Sequence, residues 1–175
     1  MARELQEGLG GLAWGDTGWR GLAQAQALWI ASGSYKKLAG ALGECAKHVN
    51  GPIEREMLLV RAALQVLGTA RIAKALPGRV TMCLDLRGEY VKALEPELDL
   101  HSPFMRYLDF FLKAVQKGSG SLARAVHVNY RPLLDTDPTI AAWSEGVIDV
   151  LEGRAPAGAG GPGGIADLMK TLMGG

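Results

Sequence analysis

The sequence predicts an all-α fold, an α-solenoid of stacked antiparallel helical hairpins of TPR-like kind, followed by a flexible Gly/Pro tether and a short amphipathic C-terminal helix. Three observations carry this. Apolar residues recur at i, i+3, i+4 and i+7 in one segment after another, prolines and small polar residues stand where helices start, and the breaks between segments are short. No segment reads reliably as a strand.

The elements come in order along the chain. Residues 1–17 are rich in glycine, lack a sustained period and read as a poorly ordered lead-in, with Asp16 and Thr17 placed to cap the first helix. A helical-repeat domain is expected over 18–153. Its first helix, Trp19 to about Ala31, carries Leu22, Ala25, Leu28 and Trp29 on one face and breaks at Ser32, Gly33 and Ser34. The second runs through Leu38, Ala39, Leu42, Cys45 and Ala46 to Val49, where Asn50 and Gly51 end it; the short break before it implies a helical hairpin. Pro52 then opens a third helix, with Glu54 and Glu56 placed to favour its dipole and Met57, Val60, Leu64 and Leu67 as its stripe.

After Gly68 and Thr69, ARIAKAL begins a further helix that Pro77 and Gly78 should end or kink. Residues 79–94 are two-sided. VTMCLDL has enough β-branched alternation for a short strand, although helical neighbours favour a helix. Leu98 and Leu100 lie in an acidic loop. Ser102 and Pro103 supply an N-cap and a first-turn proline to the clearest helix, whose stripe is Phe104, Tyr107, Leu108, Phe111, Leu112 and Val115. Gly118 and Gly120 break it, Leu122, Val126, Tyr130 and Leu133 organise the next, and Asp137 with Pro138 starts the last, with Ile140, Trp143, Val147, Val150 and Leu151 turned inward.

Composition narrows the function. A chain of 175 residues, 48% hydrophobic and 21% charged, is long enough for a core without staples. The 19 basic and 18 acidic residues are scattered and leave a formal charge of +1, so no field is present to condense on phosphates and nucleic acid is not an expected partner. Two cysteines, Cys45 and Cys83, fall in helical segments and read as reduced thiols, which points to the cytosol or nucleus. With no long apolar run, stable membrane insertion is not expected either.

Chemical motifs fail on context. Gly158, Gly160 and Gly163 match G-x-G-x-x-G, but no strand precedes them and no acidic residue lies about twenty residues onward. Cys45 and His48 share a helical face, yet His101, His127 and Cys83 stand singly, so the expected state is a buried thiol and a surface imidazole rather than a zinc site. Glu95, Glu97 and Asp99 alternate in a loop as a solvated patch. No catalytic, cofactor-binding or metal-ligating residue is predicted. An enzyme would need an open cleft gathering His101, His127 and carboxylates.

The tether, 154–162, leads to a tail, 163–175, in which Ile165, Leu168, Met169, Leu172 and Met173 form one helical stripe. Their burial contributes at most about 1.5 to 3 kcal/mol each, against roughly 1 to 2 kcal/mol for each residue ordered, so the tail needs a groove, either on its own helical domain or on a partner. The candidate partner-binding residues are these five, together with Tyr130 and with Tyr107 and Phe111, whose aromatic stripe is first of all a core stripe.

Several ordered landmarks carry a family likeness. They are REMLLVRAALQVLG from Arg55, Pro103 with Phe104, the series Tyr130, Pro132, Leu134, Asp137 and Pro138, and the closing run from Gly163 to Gly174. In these the stretch from Pro52 onward resembles the C-terminal half of the Golgi to ER traffic protein four family, helical scaffolds of the guided entry pathway for tail-anchored membrane proteins. The segment from Ala70 to Leu100 is longer than the family's, and VLEG replaces an aromatic pair before the tether. The resemblance implies an α-solenoid without catalytic activity that holds a ubiquitin-like adaptor or, in animals, a BAG-family scaffold. Contact with the targeting ATPase is implied only where the family's N-terminal helical half precedes this region. The competing expectation is an unrelated helical-repeat adaptor whose tail docks in trans or self-associates.

Overall fold

The computed structural model describes residues 22–49, 51–95 and 98–154, with side chains from Ala25 onward. Among them are eight α-helices, one short 3-10 turn and no strand. The helices are α1 (Leu22–Ser32), α2 (Tyr35–Ala46), α3 (Pro52–Gly68), α4 (Leu76–Leu94), α5 (Pro103–Gln116), α6 (Gly120–Asn129), α7 (Arg131–Leu134) and α8 (Pro138–Leu151). The lead-in 1–17, the tail 163–175 and the tether beyond Arg154 lie outside the described residues.

Helix α3 is the hub. It packs against α2, α4, α5 and α8, and its run Leu59, Val60, Ala62, Ala63, Leu64, Val66 and Leu67 is buried almost all round, as a helix with neighbours on every side requires. Helix α2 lies along α4, where Gly43 lets the helices close in: a Cβ on it would stand 3.3 Å from that of Ala93. Polar ties fix α4 on α3, because the Tyr90 hydroxyl donates to the Arg55 carbonyl at 2.8 Å and the Cys83 thiol donates to that of Ala63 at 3.3 Å. Helix α5 packs on α3, α4 and α6, and α8 returns across α6 to α3.

That return is held by Asp137. Its carboxylate caps α8, accepting from the Thr139 N–H at 3.0 Å, and takes the Arg61 Nε–H of α3 at 2.6 Å. Burial works to raise its pKa, but Arg61 and the Thr139 and Ile140 N–H groups outweigh it and hold the carboxyl below the usual aspartate value.

Sequence and structure part at ARIAKAL, over Leu122 to Leu133 and at the end of α2, and over 79–94 the structure takes the helical reading that the sequence favoured. ARIAKAL forms no helix of its own; residues 71–75 are all exposed, Ile72 by 62%, so no apolar face exists to anchor one. Only the turn Ala73–Ala75 forms, and Pro77 and Gly78 begin α4 rather than end a helix, since a first-turn proline lacks only an N–H that has no partner there. Residues 79–94 are helical throughout. A strand would put Val80, Met82, Leu84 and Leu86 on one face, whereas the buried set is Val80, Cys83, Leu86, Tyr90, Val91 and Leu94 and Leu84 is 45% exposed. Finally, the stretch organised by Leu122 to Leu133 divides at Tyr130 into α6 and α7, with Pro132 in the first turn of α7. Its buried side is Ala123 and His127, about a quarter-turn from the expected stripe, which leaves Leu122 41% exposed. Helix α2 also stops at Ala46, short of Val49.

No described helix is long and apolar enough to cross a membrane.

Helices α1, α5 and α8 close in one way. Gly33, Gly118 and Gly153 take φ of 72°, 65° and 70°, and the residue after each donates its N–H five residues back, to Trp29, Ala114 and Asp149. A Cβ on Gly118 would meet nothing within 4 Å, so only the backbone conformation resists a side chain there. Gly118→Ala is therefore expected to lower stability by about 1 kcal/mol. Gly40→Ala, in the exposed interior of α2 with the same open space, is expected to raise it by about 0.5 to 1 kcal/mol, both read by urea denaturation.

Candidate functional site

A groove of about 400 Å³ opens where the start of α3 meets the 98–102 loop, the start of α5 and the turn after α7. Pro52, Ile53 and Met57 line it from α3, Leu133 and Thr136 from the end of α7 and the turn after it, and Phe104 from α5. Ile53 is 59% exposed, an unusual place for a large β-branched residue, because its position in the first turn of α3 faces the groove and not the core.

Two carboxylates line this apolar surface and, among the described residues, no cation does. Glu56, read from sequence as a dipole partner, is instead 2% exposed beyond the first turn, where Glu54 sits. Burial pushes its carboxyl above the usual glutamate value; the polar Ser102 hydroxyl works against this, and the negative charge of Asp99 adds to it. The Ser102 oxygen accepts from the Met105 N–H at 3.2 Å as the N-cap of α5. Asp99 is pinned by its own turn, taking the His101 N–H at 2.8 Å. Nearby arginines are engaged elsewhere: Arg61 with Asp137, and Arg55 through its Nε–H with the Ala46 carbonyl at 3.0 Å.

The structure sorts the residues expected to bind a partner. Tyr107 and Phe111 are fully buried, their rings stacked at 5.5 Å between centroids, so no partner reaches them. What α5 offers to solvent is Phe110, 48% exposed, with Lys113 over its ring and Leu122 and Val126 of α6 completing a shallow depression. Tyr130 is half-buried at the edge of that cluster, 5.6 Å from the Tyr107 ring and 6.5 Å from that of Phe110. Ile165, Leu168, Met169, Leu172 and Met173 lie outside the described residues. Sequence reasoning missed Ile53, Glu56 and Asp99; the one signal for them was an apolar residue off the stripe of α3, beside two acids.

His127, Ser144 and Glu145 resemble a nucleophilic triad in composition but not in geometry. His127 Nδ1 is 2.9 Å from the Ser144 hydroxyl and Nε2 is 3.3 Å from Glu145, the reverse of the order in which Nε2 serves the serine. Ser144 is fully buried and donates to the carbonyls of its own helix at Ile140 and Ala141, both at 2.9 Å, so its oxygen accepts from Nδ1–H and no substrate reaches it. The cluster joins α6 to α8. His101 is exposed and is not part of it. Cys45 is buried with its pKa raised to about 11, Cys83 is buried with its pKa raised to about 12, each chiefly by desolvation, and His48 is exposed. Among the described residues no group of three or more His, Cys, Asp and Glu is placed to hold a metal ion.

Burial lowers the His127 pKa below 6.5, with Glu145 opposing and Arg131 and Arg124 assisting. The unfolded chain then binds more protons between the folded and unfolded values, so this contribution is complete above about pH 6.5 and fades as the pH falls. Urea denaturation should show the native protein losing more stability between pH 7.5 and 5.5 than His127→Gln does, and parallel losses would refute the assignment.

No protein-family model, curated protein or solved structure matches this chain.

Proposed function

We propose that this chain is a non-enzymatic helical scaffold of the cytosol that holds a ubiquitin-like adaptor or a BAG-family scaffold, in the pathway that delivers tail-anchored clients to an ER-targeting ATPase. One observation carries the reading. Two stretches that are far apart in the sequence and bear the family resemblance meet at one groove: Glu56 and Met57 of the run from Arg55 line it, as do Pro103 and Phe104, beside Leu133 and Thr136, which stand between the landmarks of the Tyr130–Pro138 run. Asp137, in the same run, ties that wall to α3.

The packing pattern supports the architectural side. Helix α2 meets α3 and α4, and α3 meets α4 and α5, as neighbours and next neighbours do in stacked hairpins of a solenoid, while α8 adds a contact back to α3. A fixed surface of this kind presents a partner without moving.

The test is calorimetry with purified full-length protein and the ubiquitin-like adaptor. Binding at micromolar concentration or tighter is expected. Ile53→Asp should weaken it by about tenfold or more without lowering the melting temperature, because it places a charge on an exposed apolar wall. An adaptor that fails to bind at micromolar concentration overturns the proposal.

A further inference from the structure

The groove at the start of α3 has a chemistry that its apolar walls alone do not explain. Glu56, a residue only 2% exposed, lines it together with Ile53, Met57, Phe104 and Ser102. A second carboxylate, Asp99, stands exposed on the same groove. A buried acid is ordinarily matched by a cation, and this molecule does so at Asp137 with Arg61. At Glu56 it does not. Among the described residues the lining holds no lysine, arginine or histidine, and Arg61 is committed elsewhere.

We propose that this groove is a receptor for one cationic side chain, a lysine or arginine set among apolar residues of the bound partner, with Glu56 as its counter-charge and Asp99 as the outer guide. The proposal rests on the reading of the groove as the adaptor's seat and names the chemistry of what enters it. The apolar walls match the methylene stem of such a side chain, which buries its carbons and delivers its charge at the tip. Volume agrees as well: about 400 Å³ suits one long side chain and its apolar neighbours, not a folded domain. Desolvation on binding strengthens the ion pair, so specificity for a cation over a neutral isostere follows from the buried acid.

Two measurements test it on the full chain. In the first, hexylguanidinium, hexylamine and hexanol are titrated while the methyl resonances of Ile53, Met57 and Thr136 are followed by NMR. The two cations should bind about tenfold or more tightly than the alcohol, and Glu56→Gln should remove that preference while the alcohol still binds. Equal binding of all three, no binding, or a preference that survives Glu56→Gln overturns the proposal.

The second measures the adaptor against Glu56→Gln and Asp99→Asn. Affinity should fall about tenfold for Glu56→Gln and less for Asp99→Asn, and the salt dependence of binding should flatten. An adaptor that binds Glu56→Gln as it binds the native chain overturns the cation receptor and leaves the adaptor reading standing. Glu56-dependent binding of hexylguanidinium by a chain that does not bind the adaptor does the reverse.

Discussion

The fold closes through Asp137. Six described α-helices precede the Tyr130–Pro138 run, which ends at the start of α8, and only a strong, directional contact fixes where that last helix lands. Asp137 supplies it because two demands meet in one carboxylate. The first turn of α8 has N–H groups without helical acceptors, and Arg61 of α3 brings a positive charge to the same point. Arg61 remains 43% exposed, so the pair is neither a surface ion pair of little worth nor a fully desolvated one whose hydration cost cancels its attraction. The wall made by Leu133 and Thr136 depends on this anchor, since it stands one to four residues before it.

The molecule treats its buried polar groups in two ways. At α6 and α8 they form a closed set, in which His127 gives its proton to Ser144 and Ser144 gives its own to the backbone. Such a set ties helices together, and its Nε2 faces Glu145 across 3.3 Å and is a hydrogen-bond acceptor until it is protonated. At the α3 groove the polar set is open. Ser102 and Thr136 are the neutral hydrogen-bonding side chains that line the groove with Glu56, while a carboxylate accepts several hydrogen bonds. Burial therefore lowers proton affinity at His127 and raises it at Glu56, in both cases by disfavouring charge, yet only the second leaves a deficit that an outside cation can fill.

The legible parts of this fold were those decided locally. Ser102 with Pro103 and Asp137 with Pro138 mark helix starts by their own hydrogen bonds and fixed φ, and both starts lie where those residues stand. The strong stripe of α5 reads correctly because each of its apolar residues is buried. What escaped was decided by neighbours. Pro77 is compatible with a helix start or a helix end, and the exposure of residues 71–75 is what selects the start. Leu122 and Ala123 are adjacent, and the larger would be expected inside, but the approach of α6 to α5 and α8 admits only the smaller. The groove was the least legible feature, because its walls come from three stretches of chain separated by about forty and thirty residues and share no period. Glu56 in particular looks, in sequence, like any acid near a helix start.

The same topology that hid the groove suits it to recognition. Its first wall belongs to α3, the helix with most neighbours, and its floor to α5 through Phe104, which is fully enclosed by the core. A site on such elements keeps its shape before a partner arrives, so little conformational entropy is lost from the scaffold on binding. The depression around Phe110 differs. It lies between two neighbouring helices with a lysine above the exposed ring, offers apolar contact with a positive rim, and has no buried polar group to impose register. Apolar area of that kind gives adhesion without orientation, whereas a single desolvated charge at a fixed depth selects both a side-chain type and a position along the partner. The scaffold proposed above would need the second kind of contact to hold another protein in one pose, and Glu56, which lines the same groove as Ile53 and Met57, is the group that would supply it.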